Sequence, residues 1–315
     1  MLYKIRYIEC VGNPSVHRCS CYLSEDKLEA FLRSPSFRLW NPLYDVARIV
    51  DSVDFQDGVL FATLKNGLKF CLPPDKEVNH FVDLSFKYSD PSRLGVIKDL
   101  KTFQSFLTLM HEQFIEDIYE CSELKQNDVV VDLGAHMGGY AVKAAKAVGD
   151  EGRVIAVEPE PGNLSFLRRN IELNKLKNVT VVPKGVWSKK GYIKLYLSKQ
   201  SLGHSIFPPD IHERFTGNCV EIEVDTLDNI LGELKVKSID FIKMDIECSE
   251  IEALKGMEET LKSGAKLAIG AYHPINGRPS HEILVPLLEQ RGYNIRMTGN
   301  DLAYSTIIFA EKKRL

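Results

Sequence analysis

From about residue 125 to the C-terminus the chain alternates short apolar runs with amphipathic segments, the pattern of an α/β domain on a mainly parallel sheet. Val129-Val130-Val131 is wholly apolar, as a strand buried on both faces requires. A helix over 138–148 follows, stopped by Gly149. Arg153 to Val157 is the second strand, and Pro161, suited to a first helical turn, opens a helix running to about Lys175. Val179 to Pro183, Ile239 to Met244, Lys266 to Ala271, Tyr293 to Met297 and Ser305 to Ala310 complete seven main strands. Val220 to Val224 is an extra extended piece outside that count. Ser249 and Glu252 read as a capping box that starts one helix ending near Gly264, and another helix covers about 280–290. Gly299-Asn300-Asp301 is turn chemistry, so the last two strands pair antiparallel. The expected fold is a seven-stranded, mostly parallel sheet with its last strand reversed and helices on both faces.

The chain ahead of this is less regular. It reads as an N-terminal α+β region, 1–100, of unassigned role before a main domain at 101–315. Residues 58–72 alternate and carry Asn66-Gly67, a hairpin signal. Phe103, Phe106, Leu107, Met110, Phe114, Ile115 and Ile118 recur at helical spacing, which predicts an amphipathic helix over 102–120 packed on the α/β domain. A net charge of −3, with acids and bases interspersed, argues against a nucleic-acid groove or a polybasic membrane anchor. No apolar run approaches the ~20 residues of a membrane span, and Lys4 and Arg6 interrupt the only candidate signal segment. The seven cysteines, Cys10, Cys19, Cys21, Cys71, Cys121, Cys219 and Cys248, form an odd, scattered set that reads as reduced thiols in the cytoplasm. The cluster His17-Arg18-Cys19-Ser20-Cys21 lacks a second ligand pair and is assigned no metal.

The chemistry concentrates at the carboxyl ends of the strands, where open α/β sheets bind ligands. After the first strand the chain runs Asp132-Leu133-Gly134-Ala135-His136-Met137-Gly138-Gly139-Tyr140. Glycines there let backbone approach a ligand and leave helix amides exposed to it. A dinucleotide fold would want G-x-G-x-x-G, but His136 stands where the second glycine belongs. An acid at Asp132 would repel a pyrophosphate and suits a cationic ligand such as S-adenosylmethionine. The second strand ends in Glu158-Pro159, and a carboxylate there can accept the ribose hydroxyls of a nucleoside. The fourth ends in Lys243-Met244-Asp245-Ile246-Glu247, where Lys243 pairs with one of the following acids or takes part in the site. The fifth ends in His273, either a general base, a ligand or a solvated loop residue.

Taken in order, Val130 to Gly138, Val157-Glu158-Pro159 and Ile242 to Glu247 resemble the FkbM family of S-adenosylmethionine-dependent methyltransferases, over about residues 105–310. The resemblance implies the Rossmann-like class I methyltransferase fold and a donor site formed by Asp132, Gly134, Ala135, His136, Gly138, Tyr140, Glu158, Pro159 and Asp245. It also implies an O-methyltransferase acting on a hydroxyl of a sugar, glycan or natural product. Two positions depart from the family. Cys248 stands where a glycine is usual, and Ala271 where an acid often precedes the histidine. Some related enzymes bind a divalent metal with acids at these two strand ends, so the loss of one possible ligand leaves no metal assigned.

Methyl transfer to a hydroxyl needs aligned reactants and removal of a proton. Asp245 or His273 is expected nearest the acceptor hydroxyl, with Glu247 orienting and His204 a secondary base. The stretch 198–216 lacks periodicity and sits between the third and fourth strands, so it is expected to be a lid shaping the acceptor pocket. A non-catalytic donor-binding scaffold is the alternative reading, and a nicotinamide oxidoreductase the less favoured one. The sequence carries no signal for oligomeric state.

Overall fold

The computed structural model describes residues 3–5, 21–23, 48–57, 59–73, 109–120, 123–198, 204–206, 215–275, 278–298 and 306–313. The chain divides into two units, Met1–Ile49 and Val50–Leu315. The first unit contains a short antiparallel pair, Tyr3–Ile5 against Cys21–Leu23. The His17–Ser20 part of the cysteine cluster, the expected boundary near residue 100 and the start of the 102–120 helix lie outside the described residues.

The second unit opens with three antiparallel strands, β1 (Val50–Gln56), β2 (Val59–Leu64) and β3 (Lys69–Leu72). The expected hairpin turn joins the last two, with Gly67 at φ +85°. Residues 109–110 are helical and His111–Ile115 widen into a π turn. The helix stops there, short of the expected residue 120. Asp117 and Glu120 take left-handed backbone at φ 49° and 51°, which no helix can continue through.

The main domain then runs β4 (Val129–Leu133), α1 (Gly139–Val148), β5 (Arg153–Val157), α2 (Pro161–Leu173), β6 (Val179–Val182), β7 (Gly185–Val186), β8 (Gly191–Ser198), β9 (Phe215–Asp225), α3 (Leu227–Glu233), β10 (Phe241–Met244), α4 (Glu250–Lys255), α5 (Glu258–Ser263), β11 (Lys266–Gly270), α6 (His281–Gln290), β12 (Tyr293–Thr298) and β13 (Ile307–Lys312). The seven main strands lie in the order β12-β13-β11-β10-β4-β5-β6, and only β13 is reversed. Alternate residues of the apolar runs enter different cores. Val131, Ile155 and Ile242 pack on one face, and Val130, Val154 and Phe241 on the other. Windings leave β4 and β10 in opposite directions, so their carboxyl ends frame a crevice at a topological switch point.

The extended piece at 220–224 does lie outside the seven-stranded sheet: it is the middle of β9, which pairs antiparallel along β8 and parallel with β7. Other expectations change. In the stretch expected to be aperiodic, Ser198 ends β8, Ser205 bridges back to Tyr196 and Phe215 opens β9, while 199–203 and 207–214 lie outside the described residues. The helix expected from 249 to 264 is two helices. A Cβ on Gly256 would lie 2.1 Å from the Trp187 carbonyl oxygen, so the chain yields to that crossing backbone. Ser249 makes no capping hydrogen bond because its backbone is already helical (φ −90°, ψ −1°). Glu252 instead accepts from Ser188 at 2.6 Å and pairs with Lys255.

The β1–β3 sheet joins the main domain through α2. Asn174 Oδ1 accepts from Lys69 N at 2.9 Å, and its Nδ2 donates to Lys69 O at 2.6 Å. One turn earlier, Asn170 Oδ1 accepts from Cys71 N at 2.6 Å, and its Nδ2 donates to Cys71 O at 3.1 Å. No helix among the described residues is long and apolar enough to cross a membrane.

Candidate active site

The turn after β4 takes left-handed backbone at Gly134 (φ +75°), His136 (φ +50°) and Gly138 (φ +87°). A Cβ on Gly134 would sit 2.0 Å from the Asp245 carbonyl oxygen, so β4 and β10 end with their backbones touching. The turn is pinned to β5: Gly134 N and Ala135 N both donate to Val157 O at 3.0 Å, and His136 N donates to Glu158 Oε2 at 2.8 Å. Glu158 Oε1 accepts from Glu160 N at 2.9 Å and from Asn163 Nδ2 at 3.4 Å. Burial outweighs these donors and pushes the Glu158 carboxyl up to about 7. Burial also drives the His136 imidazole down to about 3, so it is neutral.

Gly134, Ala135, His136, Tyr140, Glu158 and Pro159 line one cleft, of about 1090 Å³ with its open mouth included, together with Asp245. Gly138 lies outside the lining, and its missing Cβ faces Leu167 Cδ1 at 2.7 Å, so it is a helix-packing glycine.

Asp132 also lies off the cleft. It stands opposite Lys243 on the neighbouring strand, is fully buried, and its Oδ1 pairs with Lys243 Nζ at 3.1 Å. Lys243 thus pairs with an acid before the turn, not with Asp245 or Glu247, and its Nζ donates to Gly134 O at 2.8 Å. The pair holds the turn, and the charge facing a ligand comes from other residues. Glu112, Glu158, Asp245 and Glu247 line the cleft. The lysines there are engaged, Lys243 by Asp132 and Lys184 by Glu223 at 3.2 Å and Asp225 at 3.3 Å. This acidic lining fits the cationic S-adenosylmethionine and opposes a pyrophosphate.

Asp245 Oδ2 accepts from Tyr119 at 2.7 Å and from Tyr272 at 3.1 Å. Burial opposes ionisation of this carboxyl, but His273, Lys243 and the two hydroxyls hold it below the usual carboxylate range. Glu247 lines the cleft and takes His273 Nε2 on its Oε2 at 3.2 Å. His273 itself is 8% exposed and is not part of the cleft wall. Burial disfavours its charge, yet Glu247, Glu250 and Asp245 push it up to about 12. Neither its position nor its charge suits the role of a base beside the acceptor.

His204, from the hairpin end, does line the cleft. Its Nδ1 accepts from Ser198 N at 3.0 Å, and burial lowers its pKa, so the neutral ring carries its proton on Nε2. It is a donor in this arrangement. Around it, Trp187, Ile193, Leu195, Ile206, Ile222 and Val224 give the hairpin side an apolar wall.

Sequence reasoning did not single out Tyr119, Tyr272, Glu112, Lys184 or Trp187. Tyr272 adjoins His273 at a strand tip, a position that could have flagged it. Tyr119 carried no motif.

The chain matches the Methyltransferase FkbM domain over residues 132–295. Methyltransferase sdnD of Sordaria araneosa is 27% identical over 212 residues, covering 58% of this chain and 80% of that protein. Methyltransferase 1 of Beauveria bassiana is 23% identical over 164 residues, 47% of this chain and 66% of that protein. Hexuronic acid methyltransferase AglP of Haloferax volcanii is 28% identical over 173 residues, 53% and 61% respectively. The chain therefore spans less than two thirds of the last two relatives. The matched stretch begins in β4, ends in β12, covers more than half of the chain and contains every strand tip described above. This chain belongs to the FkbM family of S-adenosylmethionine-dependent methyltransferases.

Proposed function

We propose that the protein methylates a hydroxyl oxygen on a sugar, glycan or natural-product acceptor that carries an apolar face. The observation behind this reading is the shared cleft: the pinned turn and Glu158 on one side, Asp245, Glu247 and His204 on the other. S-adenosylmethionine supplies an activated methyl group on a sulfonium, so the chain's own task is to hold, orient and deprotonate the acceptor.

The donor-binding set is Gly134, Ala135, His136, Tyr140, Glu158 and Pro159, with the Glu158 carboxylate as hydroxyl acceptor. Glu247 is the proton acceptor in this scheme, in preference to Asp245 or His273. Asp245 Oδ2 is committed to two tyrosine hydroxyls, whereas Glu247 faces the cleft with only Oε2 turned to His273. His204 Nε2 donates to the acceptor oxygen, and the apolar wall seats the acceptor's apolar face and excludes water. The name of the hexuronic acid relative supports a sugar hydroxyl. The acidic lining favours a small neutral acceptor over a nucleic acid. The odd, scattered set of seven cysteines favours a reducing compartment such as the cytoplasm.

The test is label transfer from methyl-labelled donor to a panel of hexuronic-acid glycans, neutral sugars, apolar alcohols, amines and carbon acids. Glu247→Gln should lower kcat by about 10²–10⁴-fold while donor affinity holds. Glu158→Gln should weaken donor binding first. Full turnover in Glu247→Gln removes Glu247 from the mechanism, and label on nitrogen or carbon acceptors alone removes the O-methylation reading.

A further inference from the structure

We propose that Glu112, from a segment ahead of the matched 132–295 stretch, binds the α-ammonium group of the donor's amino-acid moiety. This subsite rests on the donor half of the reading above and is indifferent to the acceptor. Asp132, the acid read from sequence as facing the cation, is spent on Lys243 at 3.1 Å. Of the four acids that line the cleft, three are engaged. Glu158 accepts from His136 N, Glu160 N and Asn163, Asp245 Oδ2 accepts from two tyrosines, and Glu247 Oε2 faces His273. The fourth, Glu112, has no side-chain hydrogen bond or ion pair among the described residues. Burial, Asp245 and Glu116 push its carboxyl up to about 7, and Lys243 offsets them only in part. A cation brought to hydrogen-bond distance would restore its charge.

The backbone holds this carboxyl at the strand ends. His111–Ile115 widen into a π turn, a distortion frequent at functional sites, and Ile118 N reaches back to Glu112 O at 3.1 Å. Lys143, on the helix that follows the donor turn, donates to Gln113 O and pairs with Asp117 at 2.8 Å. Tyr119 closes the segment onto Asp245 at 2.7 Å. Glu112 is thereby fixed between α1 and the tip of β10, where it acts electrostatically on Asp245, Tyr119 and Tyr272. Glu158 stands at the tip of β5, and β4 lies between β5 and β10. Two strand spacings span about 10 Å, the order of the distance from a donor's ribose hydroxyls to its amino-acid end. With the ribose on Glu158, that end reaches the β10 side, where Glu112 waits. The donor carries two positive centres. A sulfonium has no hydrogen to donate, whereas an ammonium offers three, and a carboxylate with both oxygens uncommitted answers the ammonium.

The test sets residue against ligand group, by calorimetry with no acceptor present. Glu112→Gln should weaken S-adenosylhomocysteine by about 10–100-fold, the size of a hydrogen bond to a charged group, and leave methylthioadenosine, which lacks the amino-acid moiety, unchanged. S-adenosylmethionine should weaken by the same factor, because both ligands carry the ammonium. Replacing the α-amino group of S-adenosylhomocysteine by hydrogen should cost wild type that factor and cost Glu112→Gln little. Glu116→Gln removes an exposed charge four residues on and should leave every ligand unchanged. Methylthioadenosine binding reports that each variant is folded, and Glu112→Asp, which withdraws the charge by one methylene, serves if the amide variant does not fold. Equal loss for methylthioadenosine, a loss for S-adenosylmethionine alone, the same loss in Glu116→Gln, or unchanged binding in Glu112→Gln would each overturn the subsite. A wild type that binds none of these ligands would overturn the donor cleft together with it. A wild type that binds donor but methylates no hydroxyl would remove the proposed acceptor alone.

Discussion

Tyr119 donates its hydroxyl to Oδ2 of Asp245 at 2.7 Å across 126 residues of chain. The same ring lies 5.4 Å under Lys243 Nζ, so one buried side chain steadies both the cleft acid and the lysine behind it. Tyr119→Phe removes the oxygen alone. A hydrogen bond to a charged, buried partner is worth about 1.5–3 kcal/mol, and denaturant unfolding should show a loss of that size. A loss below about 0.5 kcal/mol would mean that Asp245 is held by other groups.

Glu158 sets a pH dependence with an unusual sign. Its folded carboxyl is pushed up from the ordinary 4.5 to about 7, so between those values the folded chain holds a proton that the unfolded chain has released. Its contribution is fully present below pH 4.5 and is lost as pH rises through 7, by on the order of 3 kcal/mol. Unfolding at pH 5 and pH 7.5 should show a smaller difference in Glu158→Gln than in wild type. Equal differences would place the ionisation elsewhere.

The Asp132–Lys243 pair calls for a double-mutant cycle. Lys243→Met leaves a carboxylate buried without its cation and should cost about 3–5 kcal/mol. Adding Asp132→Asn should recover part of that loss. Simple additivity of the two changes would show that the residues do not act as a pair.

Cys248 occupies backbone that favours glycine, with φ +76°, directly after Glu247 at φ +52°. Cys248→Gly should raise stability by up to about 1 kcal/mol, because relief of strain exceeds the entropy that glycine adds to the unfolded chain. A lower melting temperature would show that the thiol's packing matters more than its backbone.

The architecture was legible because buried parallel strands are apolar throughout and their helices are bounded by residues such as Pro161 and Gly149. What sequence could not give was which strand neighbours which. Asp132 and Lys243 face each other only because β4 and β10 are adjacent in register, so an acid read as facing the ligand is spent on a lysine. Glu250 reads from sequence as a favourable acid at a helix start, yet folding turns it toward His273, 23 positions away. The capping box at Ser249 failed for a local reason, since two left-handed residues before it bring the chain into the helix already turned. Tyr119 belongs to no periodic run or motif, and only tertiary packing gives it meaning.

Asn170 and Asn174 carry a final consequence. Residues four apart on a helix rise about 6 Å, close to the ~6.6 Å between alternate residues of a strand. The two amides therefore stand in for a neighbouring strand along the outer edge of β3, answering both backbone groups of Lys69 and of Cys71. Asn170 Nδ2 also donates to Met137 O at 2.8 Å, tying that edge to the ligand-binding turn. Open edges recruit foreign strands and seed aggregation. A chain cut back to residues 101–315 would keep the helix but lose the strand it guards, leaving two asparagines without their counterparts at Lys69 and Cys71. The small sheet is thus better regarded as the first part of the catalytic body than as an appendage to it.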